Sequence, residues 1–148
     1  MMKKFIIYLC CLASLIFSTS TLANQMENNR QIVIDFYNQV TNDKNYEGAA
    51  KFLGPWYTQH NPTAADGAEG LKEYIQWLRD KFPAAHSEIK RIIAEGDYVI
   101  LHVHSVLEPD TRGLAIVDIF RLNDGKIVEH WDVIQDIPEK SANSNGMF

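Results

Sequence analysis

The sequence predicts an α+β fold in which N-terminal helices pack on an antiparallel sheet. Up to Pro83, apolar residues recur every three or four positions, which is the spacing of amphipathic helices. After Pro83 they recur at every second position, the spacing of strands, and short turn-like connections separate the strands. Because the helices come first and the strands follow, the pattern indicates α+β rather than alternating α/β.

The N-terminal residues 1–23 have the pattern of a signal peptide. Lys3 and Lys4 precede an apolar run that ends at Phe17, and small residues up to Ala23 fit a cleavage site. The run is shorter than the roughly 20 residues that a membrane-spanning helix needs, so a retained anchor is the less favoured alternative. We therefore expect a periplasmic or secreted protein that has no membrane attachment after cleavage.

The expected mature chain, residues 24–148, is long enough for one domain with a single core. Cys10 and Cys11 leave with the signal peptide, so neither disulfide nor thiol chemistry is expected. Removing the two N-terminal lysines from the 14 basic residues leaves 12 against 19 acidic ones, a net charge of −7. That charge argues against nucleic acid or an anionic membrane surface as a partner.

Three helices are predicted before Pro83. The first covers residues 27–40 and the second residues 46–52. The apolar stripe of the third helix consists of Leu71, Tyr74, Ile75, Leu78 and Phe82. Between the second and third helices, residues 56–62 form an aromatic, histidine-bearing segment that is too polar for a core helix.

Four strands are predicted after Pro83, over residues 87–94, 98–107, 113–122 and 126–135. Asn123-Asp124-Gly125 is a strong hairpin signal between the last two. If these three residues form the loop, Leu122 pairs with Lys126 and Asp118 pairs with His130. Asp118 and His130 then share the even-numbered face of the sheet, with His102 and His104 one strand away. A slip of one residue would move these side chains to the opposite face.

The odd-numbered face is also apolar at its centre, where it carries Val117, Ile119, Trp131 and Val133. A sheet with two apolar faces must cover both. The three helices can cover one face, and a second subunit most simply covers the other. The sequence therefore predicts a homodimer through the outer sheet face.

Asp118 lies in the middle of the apolar segment Ile-Val-Asp-Ile-Phe, where a carboxylate without a partner is rarely tolerated. Burial disfavours the ionised form, so it raises the pKa of such a carboxyl toward the range useful for proton transfer. The structural alternative is a carboxylate that His130 or a backbone amide satisfies.

The histidines leave more than one use open. His102 and His104 could be metal ligands, polar groups of a pocket or half-exposed surface residues. With Asp118 and His130 they form a set that zinc or iron accepts, but no cysteine pair or Glu-x-x-His element supports a metal, and none is predicted. His60 either stabilises its loop, the favoured use, or reaches the pocket. Because no nucleophile elbow, P-loop or dinucleotide fingerprint occurs, proton transfer by carboxylate and imidazole is the chemistry that remains.

Taken together, several segments resemble the SnoaL-like family. They are Tyr57-Thr-Gln-His-Asn-Pro62 with Asp66-Gly67, Ile-Ile-Ala-Glu-Gly-Asp-Tyr-Val at 92–99, Leu101-His-Val-His104, Val117-Asp-Ile-Phe-Arg121, and Asp-Gly-Lys-Ile-Val-Glu-His-Trp-Asp-Val-Ile at 124–134. The likeness runs from the first helix to about Glu139. It extends to the bacterial group known as predicted SnoaL-like aldol-condensation-catalysing enzymes.

The resemblance implies a cone-shaped, nuclear-transport-factor-2-like fold, in which a curved antiparallel sheet wraps round three helices and is open at one end. In the polyketide cyclases of the family, an aspartate on the sheet is the general acid/base of an aldol ring closure. A histidine on the neighbouring strand accompanies it, and no metal or organic cofactor takes part. By motif position, these two residues correspond to Asp118 and His104.

The expected function is therefore general acid/base catalysis of the aldol-condensation, cyclase or isomerase type on a small, largely apolar carbonyl compound. Asp118 would move the proton, and His104 would bind the enolate oxygen together with His60 or His130. The other residues expected in the pocket are His102, Trp56, Tyr57 and Phe120. The alternative is a non-catalytic periplasmic binding or interaction module that uses the same cavity, with Asp118 as a polar anchor.

Overall fold

A computed structural model describes the backbone of residues 2–148 and the side chains of residues 22–148. The expected signal peptide, except for its last two residues, and both cysteines lie outside the residues whose side chains are described. Export therefore stays a prediction. Among the described residues, no helix has both the length and the apolar character needed to cross a membrane.

The structure confirms the predicted α+β class, with helices first and a curved sheet after them. Its elements are α1 (Met2–Thr41), α2 (Tyr46–Ala50), β1 (Leu53–Gln59), α3 (Gly67–Lys81), β2 (His86–Glu95), β3 (Tyr98–Val106), β4 (Leu114–Asn123) and β5 (Lys126–Asp136). The first predicted helix lies within α1, the second extends two residues beyond the end of α2, and the third corresponds to α3. The four predicted strands correspond to β2 to β5, and no predicted end differs from the observed one by more than one residue.

The core lies between the helices and one face of the sheet. Helix α1 buries a stripe at three- and four-residue spacing, which includes Val33 and Phe36. Phe36 meets Phe120 of β4 edge to face, with ring centroids 5.8 Å apart. Strand β3 contributes three residues without solvent exposure, which are Val99, Leu101 and Val103. These contacts hold α1 against the sheet, and Leu71 and Ile75 of α3 belong to the same buried cluster.

The sheet has the order β1-β5-β4-β3-β2, and β1 lies parallel to β5 at its edge. Strand β1 is not predicted from the sequence pattern. Because it runs parallel to β5, the sheet is antiparallel only from β5 to β2. Gly54 and Pro55 interrupt the strand pattern, and the β1–β5 register shifts between Leu53 and Thr58. Strand β1 matters because it brings residues 57–59 beside His130.

The predicted register between β4 and β5 is wrong by two residues. The loop has two residues, Asp124 and Gly125, both with positive φ (50° and 72°), so Asn123 pairs with Lys126. A bulge then leaves Val128 without a partner, because Leu122 pairs with Ile127 and Arg121 with Glu129. Each change displaces the pairing by one residue, and together they preserve the face. Asp118 consequently pairs with Asp132 while still sharing a face with His130.

The predicted position of His102 and His104 beside Asp118 is also wrong. Leu101 pairs with Asp118, His102 with Val117 and His104 with Ala115. The odd-numbered residues of β3 therefore face the helices, and the two histidines face outward. The physical reason is that the odd-numbered set is more apolar than the even-numbered one, so burying it against α1 removes more apolar surface from water.

The outer face of the sheet remains apolar and partly uncovered. Val117 is 37 % exposed and Val133 is 69 % exposed. At the β3 side, Phe148 packs over His104 and His102, with ring centroids 4.8 and 5.2 Å apart. The homodimer through this face stays a prediction.

Candidate active site

A cavity of about 580 Å³ lies between the concave sheet face, α1 and α3. Its walls are largely apolar and include six aromatic side chains, those of Phe36, Tyr37, Tyr57, Tyr74, Trp77 and Phe120. The sheet and the loop after β1 supply a compact polar group to the same cavity, made of Asp118, His130, Asp132, Gln59 and Asn61. An apolar cavity with a few convergent polar groups is the usual form of a small-molecule site.

Asp118 stands at the middle of β4 and is 4 % exposed. Its Oδ1 lies 3.0 Å from His130 Nε2, whereas Oδ2 is buried and has no hydrogen-bond partner among the described residues. Burial raises the pKa of Asp118, the neighbouring His130 opposes that rise, and the charge of Asp132 adds to it. The net direction is upward, so the carboxyl is suited to holding a proton closer to neutral pH than an ordinary aspartate does.

His130 lies between Asp118 and β1. Its Nδ1 is 3.0 Å from Gln59 Oε1, and its ring stacks on Phe120 with centroids 4.7 Å apart. The residue is 8 % exposed. Strand β1 positions this contact, because Gln59 is the register partner of His130 and the His60 amide donates to the His130 carbonyl at 2.9 Å.

Asp132 is held by the loop that follows β1. Asn61 Nδ2 donates to both carboxylate oxygens at 2.8 Å, and Thr63 donates to Asn61 Oδ1 from its backbone amide and its hydroxyl. Those two donors fix the orientation of the Asn61 amide. Because Asp132 faces Asp118 across the β4–β5 pair, two carboxyl groups share one end of the cavity.

Two buried tyrosines face the same end of the cavity. Burial raises the pKa of Tyr37 and of Tyr57 well above the ordinary value, and the charge of Asp118 adds to both rises. Both phenols are therefore protonated near neutral pH and carry an O–H donor. From the sequence, Tyr37 belongs only to the apolar stripe of a helix; a phenol in such a stripe, with a polar tip that needs a partner, is the signal that could have identified it.

The structure brings together four of the eight residues predicted for the site: Asp118, His130, Tyr57 and Phe120. The predicted pocket position of the other four is wrong. His104 Nε2 lies 2.9 Å from the Arg112 carbonyl oxygen and His102 Nδ1 lies 3.0 Å from Arg91 Nη1, both on the outer face.

His60 and Trp56 point away from the cavity because alternation along β1 directs Tyr57 inward. His60 is exposed, stacks on Trp131 and lies 2.8 Å from Glu129 Oε1. Trp56 is 49 % exposed. The site residues that were not predicted from the sequence are Tyr37, Gln59, Asn61, Asp132, Tyr74 and Trp77.

Asp118, His130 and Asp132 are also the described residues that could hold a metal ion, since their ligand atoms lie within 4.8 Å of one another. An aspartate–histidine–aspartate set suits a borderline divalent cation. The 3.0 Å contact between His130 Nε2 and Asp118 Oδ1 is also the length of a hydrogen bond, so a proton can bridge the same two atoms. A site without metal stays a prediction.

The sequence and the fold were compared with those of known proteins. Residues 33–130 match the SnoaL-like domain. A protein from Bacillus cereus ATCC 10987 that is provisionally named a polyketide cyclase is 25 % identical, over 72 % of this chain and 74 % of its own, with a TM-score of 0.64. A protein from Kribbella flavida DSM 17836, provisionally named a ketosteroid isomerase, is 17 % identical over 80 % and 85 %, with a TM-score of 0.65.

A third similar structure is that of TsrD from Streptomyces laurentii, which is 20 % identical over 72 % of this chain and 87 % of its own, with a TM-score of 0.61. No curated protein matches the sequence. Because the SnoaL-like domain covers well over half of the 148 residues and the fold agrees with it, the chain belongs to the SnoaL-like family.

Proposed function

We propose that this protein catalyses proton transfer at the carbon beside a carbonyl group, as a cyclase, aldol-condensation catalyst or isomerase acting on a small, largely apolar compound. The observation that carries the proposal is Asp118: a buried carboxyl with one oxygen on His130, one oxygen without a partner among the described residues, and a largely apolar cavity around it. Residues of this kind with a raised pKa are typical of general acids and bases.

Asp118 and His130 supply the proton-transfer step. In the ionised form, Asp118 Oδ2 accepts the proton from the carbon, and the electron pair of the C–H bond moves to the carbonyl oxygen as an enolate. The Tyr37 and Tyr57 phenols, which stay protonated, are the donors available for that oxygen. Asp118 then returns the proton, either to another carbon (isomerisation) or to the alkoxide formed when the enolate carbon attacks a second carbonyl (aldol condensation).

The histidine of this proposal is His130 rather than His104. The family resemblance points to His104, but β3 turns that side chain to the outer face, where the Arg112 carbonyl is its partner. His130 lies on the neighbouring strand on the other side of Asp118 and contacts the carboxyl directly. It therefore takes over the role of the accompanying histidine.

The test is exchange of the α-hydrogens of carbonyl compounds in D₂O, followed by proton NMR, because this assay detects the first proton transfer whatever the final product is. Cyclic ketones and 1,3-diketones of increasing size are the probes. We expect wild-type protein to accelerate exchange of at least one of them and Asp118→Asn to lose about 100-fold or more of that acceleration. His104→Gln, on the outer face, is the matched control and should retain the rate.

Undiminished exchange in folded Asp118→Asn would refute the role of Asp118. If wild-type protein binds these compounds but does not accelerate exchange, the result supports the alternative of a non-catalytic binding module. In that case Asp118→Asn should change affinity by only a few fold, because a neutral amide can replace a polar anchor.

A further inference from the structure

We propose that Gln59 is a positioning residue that holds His130 in its Nδ1–H tautomer, so that the Nε2 atom faces Asp118 and the two side chains share a single proton. The catalytic meaning of this role rests on the proposed function, but its geometric content stands independently. It assigns a role to strand β1, which contributes Gln59 from the parallel edge of the sheet.

The orientation of the Gln59 amide is fixed by its neighbours. The backbone amide of Asn61 donates to Gln59 Oε1 at 2.9 Å. A backbone N–H can only donate, so the atom at this position must be the oxygen rather than the nitrogen. The Gln59 Nε2 group then points to the Tyr57 hydroxyl, 3.3 Å away, which can accept from it. Both ends of the amide are consistent with one orientation.

The tautomer of His130 follows from that orientation. His130 Nδ1 lies 3.0 Å from the same Gln59 Oε1, which has no hydrogen to give. His130 Nδ1 must therefore carry the hydrogen and donate it. In a neutral imidazole this leaves Nε2 with a lone pair, since the hydrogen bond at one ring nitrogen sets the state of the other.

A proton must then lie between His130 and Asp118. His130 Nε2 and Asp118 Oδ1 are 3.0 Å apart and both residues are buried, so two facing lone pairs would repel without compensation by water. One proton between them removes the conflict. It resides either on the carboxyl, giving a neutral acid and a neutral imidazole, or on the ring, giving a carboxylate and an imidazolium.

The chemical consequence concerns Asp118 Oδ2. Because Oδ1 is engaged with His130, Oδ2 is the oxygen left for the substrate. With the shared proton on His130, Asp118 Oδ2 can take a proton from the substrate. When Oδ2 gives that proton back, the shared proton can return to Oδ1, and the Gln59 contact does not change. The opposite tautomer would fix the hydrogen on Nε2 and leave Nδ1 as an acceptor facing Gln59 Oε1, which is also an acceptor.

The experiment is nitrogen-15 NMR of histidine-labelled full-length protein, in which the chain's five histidines give separable ring signals. We expect His130 in wild-type protein to carry a hydrogen on Nδ1. Gln59→Leu removes the acceptor and should abolish the Nδ1–H signature, whereas Gln59→Glu keeps an acceptor oxygen and should retain it. Gln135→Leu, an exposed position on β5, is the matched control and should leave the His130 signals unchanged.

A wild-type His130 whose only ring hydrogen is on Nε2 would overturn the inference, and so would an unchanged Nδ1–H signature in folded Gln59→Leu. In the α-hydrogen exchange assay we expect Gln59→Leu to lose at least about tenfold and Gln59→Glu to recover part of that loss, because the wrong tautomer is costly in other imidazole-based catalysts. The two proposals fail separately. If the His130 tautomers are as expected but wild-type protein has no exchange activity, only the proposed function is refuted. If wild-type protein has exchange activity but the His130 tautomer is the same in Gln59→Leu, only the role of Gln59 is refuted.

Discussion

Asp118 and Asp132 face each other across the β4–β5 pair, and among residues 22–148 no lysine or arginine lines the cavity beside them. Two ionised carboxylates in this position repel each other. The surroundings treat the two differently: Asn61 donates to both oxygens of Asp132, whereas Asp118 has one oxygen on His130 and one that no described residue contacts by a hydrogen bond. The asymmetry makes Asp118 the carboxyl of the pair that is suited to gaining and losing a proton.

The raised pKa of Asp118 has a consequence for stability. An aspartate in the unfolded chain ionises at about pH 3.9, and the folded protein holds its proton to higher pH, so stability falls as pH rises from the unfolded pKa to the folded one. Asparagine carries no such charge, and its amide can donate to His130 Nε2 as the protonated carboxyl does. We therefore expect Asp118→Asn to be as stable as wild type at pH 4 and more stable than wild type at pH 7.

Urea unfolding at both pH values measures this difference. The asparagine side chain differs from a protonated aspartate by the exchange of one hydroxyl for one amino group, so packing changes little. A variant that is less stable than wild type at pH 7 would contradict the expectation, because it would mean that an ionised Asp118 stabilises the fold through its pair with His130. Circular dichroism at each pH establishes that both proteins start folded.

The β4–β5 hairpin is the element that brings Asp118 and His130 together. Its two-residue loop needs positive φ at both positions, and Gly125 has φ 72°. A Cβ at Gly125 would meet Ile32 Cδ1 at 3.7 Å, an ordinary contact, so a substitution there acts through the backbone rather than through a clash. We expect Gly125→Ala to destabilise the protein by about 1 kcal/mol.

Asparagine provides the comparison for this hairpin, because it tolerates the left-handed region better than alanine does. Gly125→Asn should lose clearly less stability than Gly125→Ala in thermal or urea unfolding. Equal losses for the two variants would show that side-chain contacts at this position, and not φ, determine the effect.

At the level of elements, the sequence predicts every helix and four of the five strands, because their apolar periods are regular. Strand β1 is not predicted because Gly54 and Pro55 break the alternation of apolar and polar residues. In addition, a parallel edge strand is not joined to its neighbour by a hairpin turn that the sequence would show. The site depends on that strand through Tyr57 and Gln59. The β4–β5 register is the second feature that the sequence does not predict. The turn and the bulge each displace the pairing by one residue, and local sequence does not reveal a bulge.

The face of β3 shows the limit of alternation more clearly. Both faces of this strand carry apolar residues, so period two separates them without saying which one is inside. The odd-numbered set, with Leu101 opposite Asp118, is aliphatic from Val99 to Val103 and packs inward. His104 consequently lies on the outer face. An assignment by motif position cannot detect this, because the motif does not show which face of β3 packs inward. Asp118 was accessible to prediction because a carboxyl in an apolar segment is conspicuous on either face.

For the molecule as a whole, the outer sheet face is the apolar surface that the described residues leave partly uncovered. Val117 and Val133 remain exposed at its centre, while Phe148 covers the part over His102 and His104. We expect a homodimer through the uncovered part, because an apolar sheet face of this kind is rarely left to solvent. Light scattering at micromolar concentration should give the mass of two chains, and Val133→Lys should give the mass of one.

A wild-type monomer in that measurement would contradict the dimer. Lys90→Gln provides the control at the edge of the same face, where its Nζ lies 5.7 Å from the centre of the Phe148 ring. It alters charge outside the exposed apolar centre and should leave the mass of the dimer unchanged.

The charge of the cavity predicts which ligands the whole molecule accepts. Asp118, Asp132 and Glu73 line it, whereas no lysine or arginine of the side chains described does, so an anionic ligand would enter without a fixed counter-charge while losing its water. We expect 2-acetylnaphthalene to bind at least about tenfold more tightly than 2-naphthoate, which has the same ring system and a carboxylate in place of the ketone; tenfold corresponds to about 1.4 kcal/mol. Quenching of tryptophan fluorescence measures both affinities, since Trp77 lines the cavity. Asp132→Asn removes one carboxyl group and should reduce the difference in affinity between the two compounds. Equal affinities in wild-type protein would show that the carboxyl groups do not select the ligand.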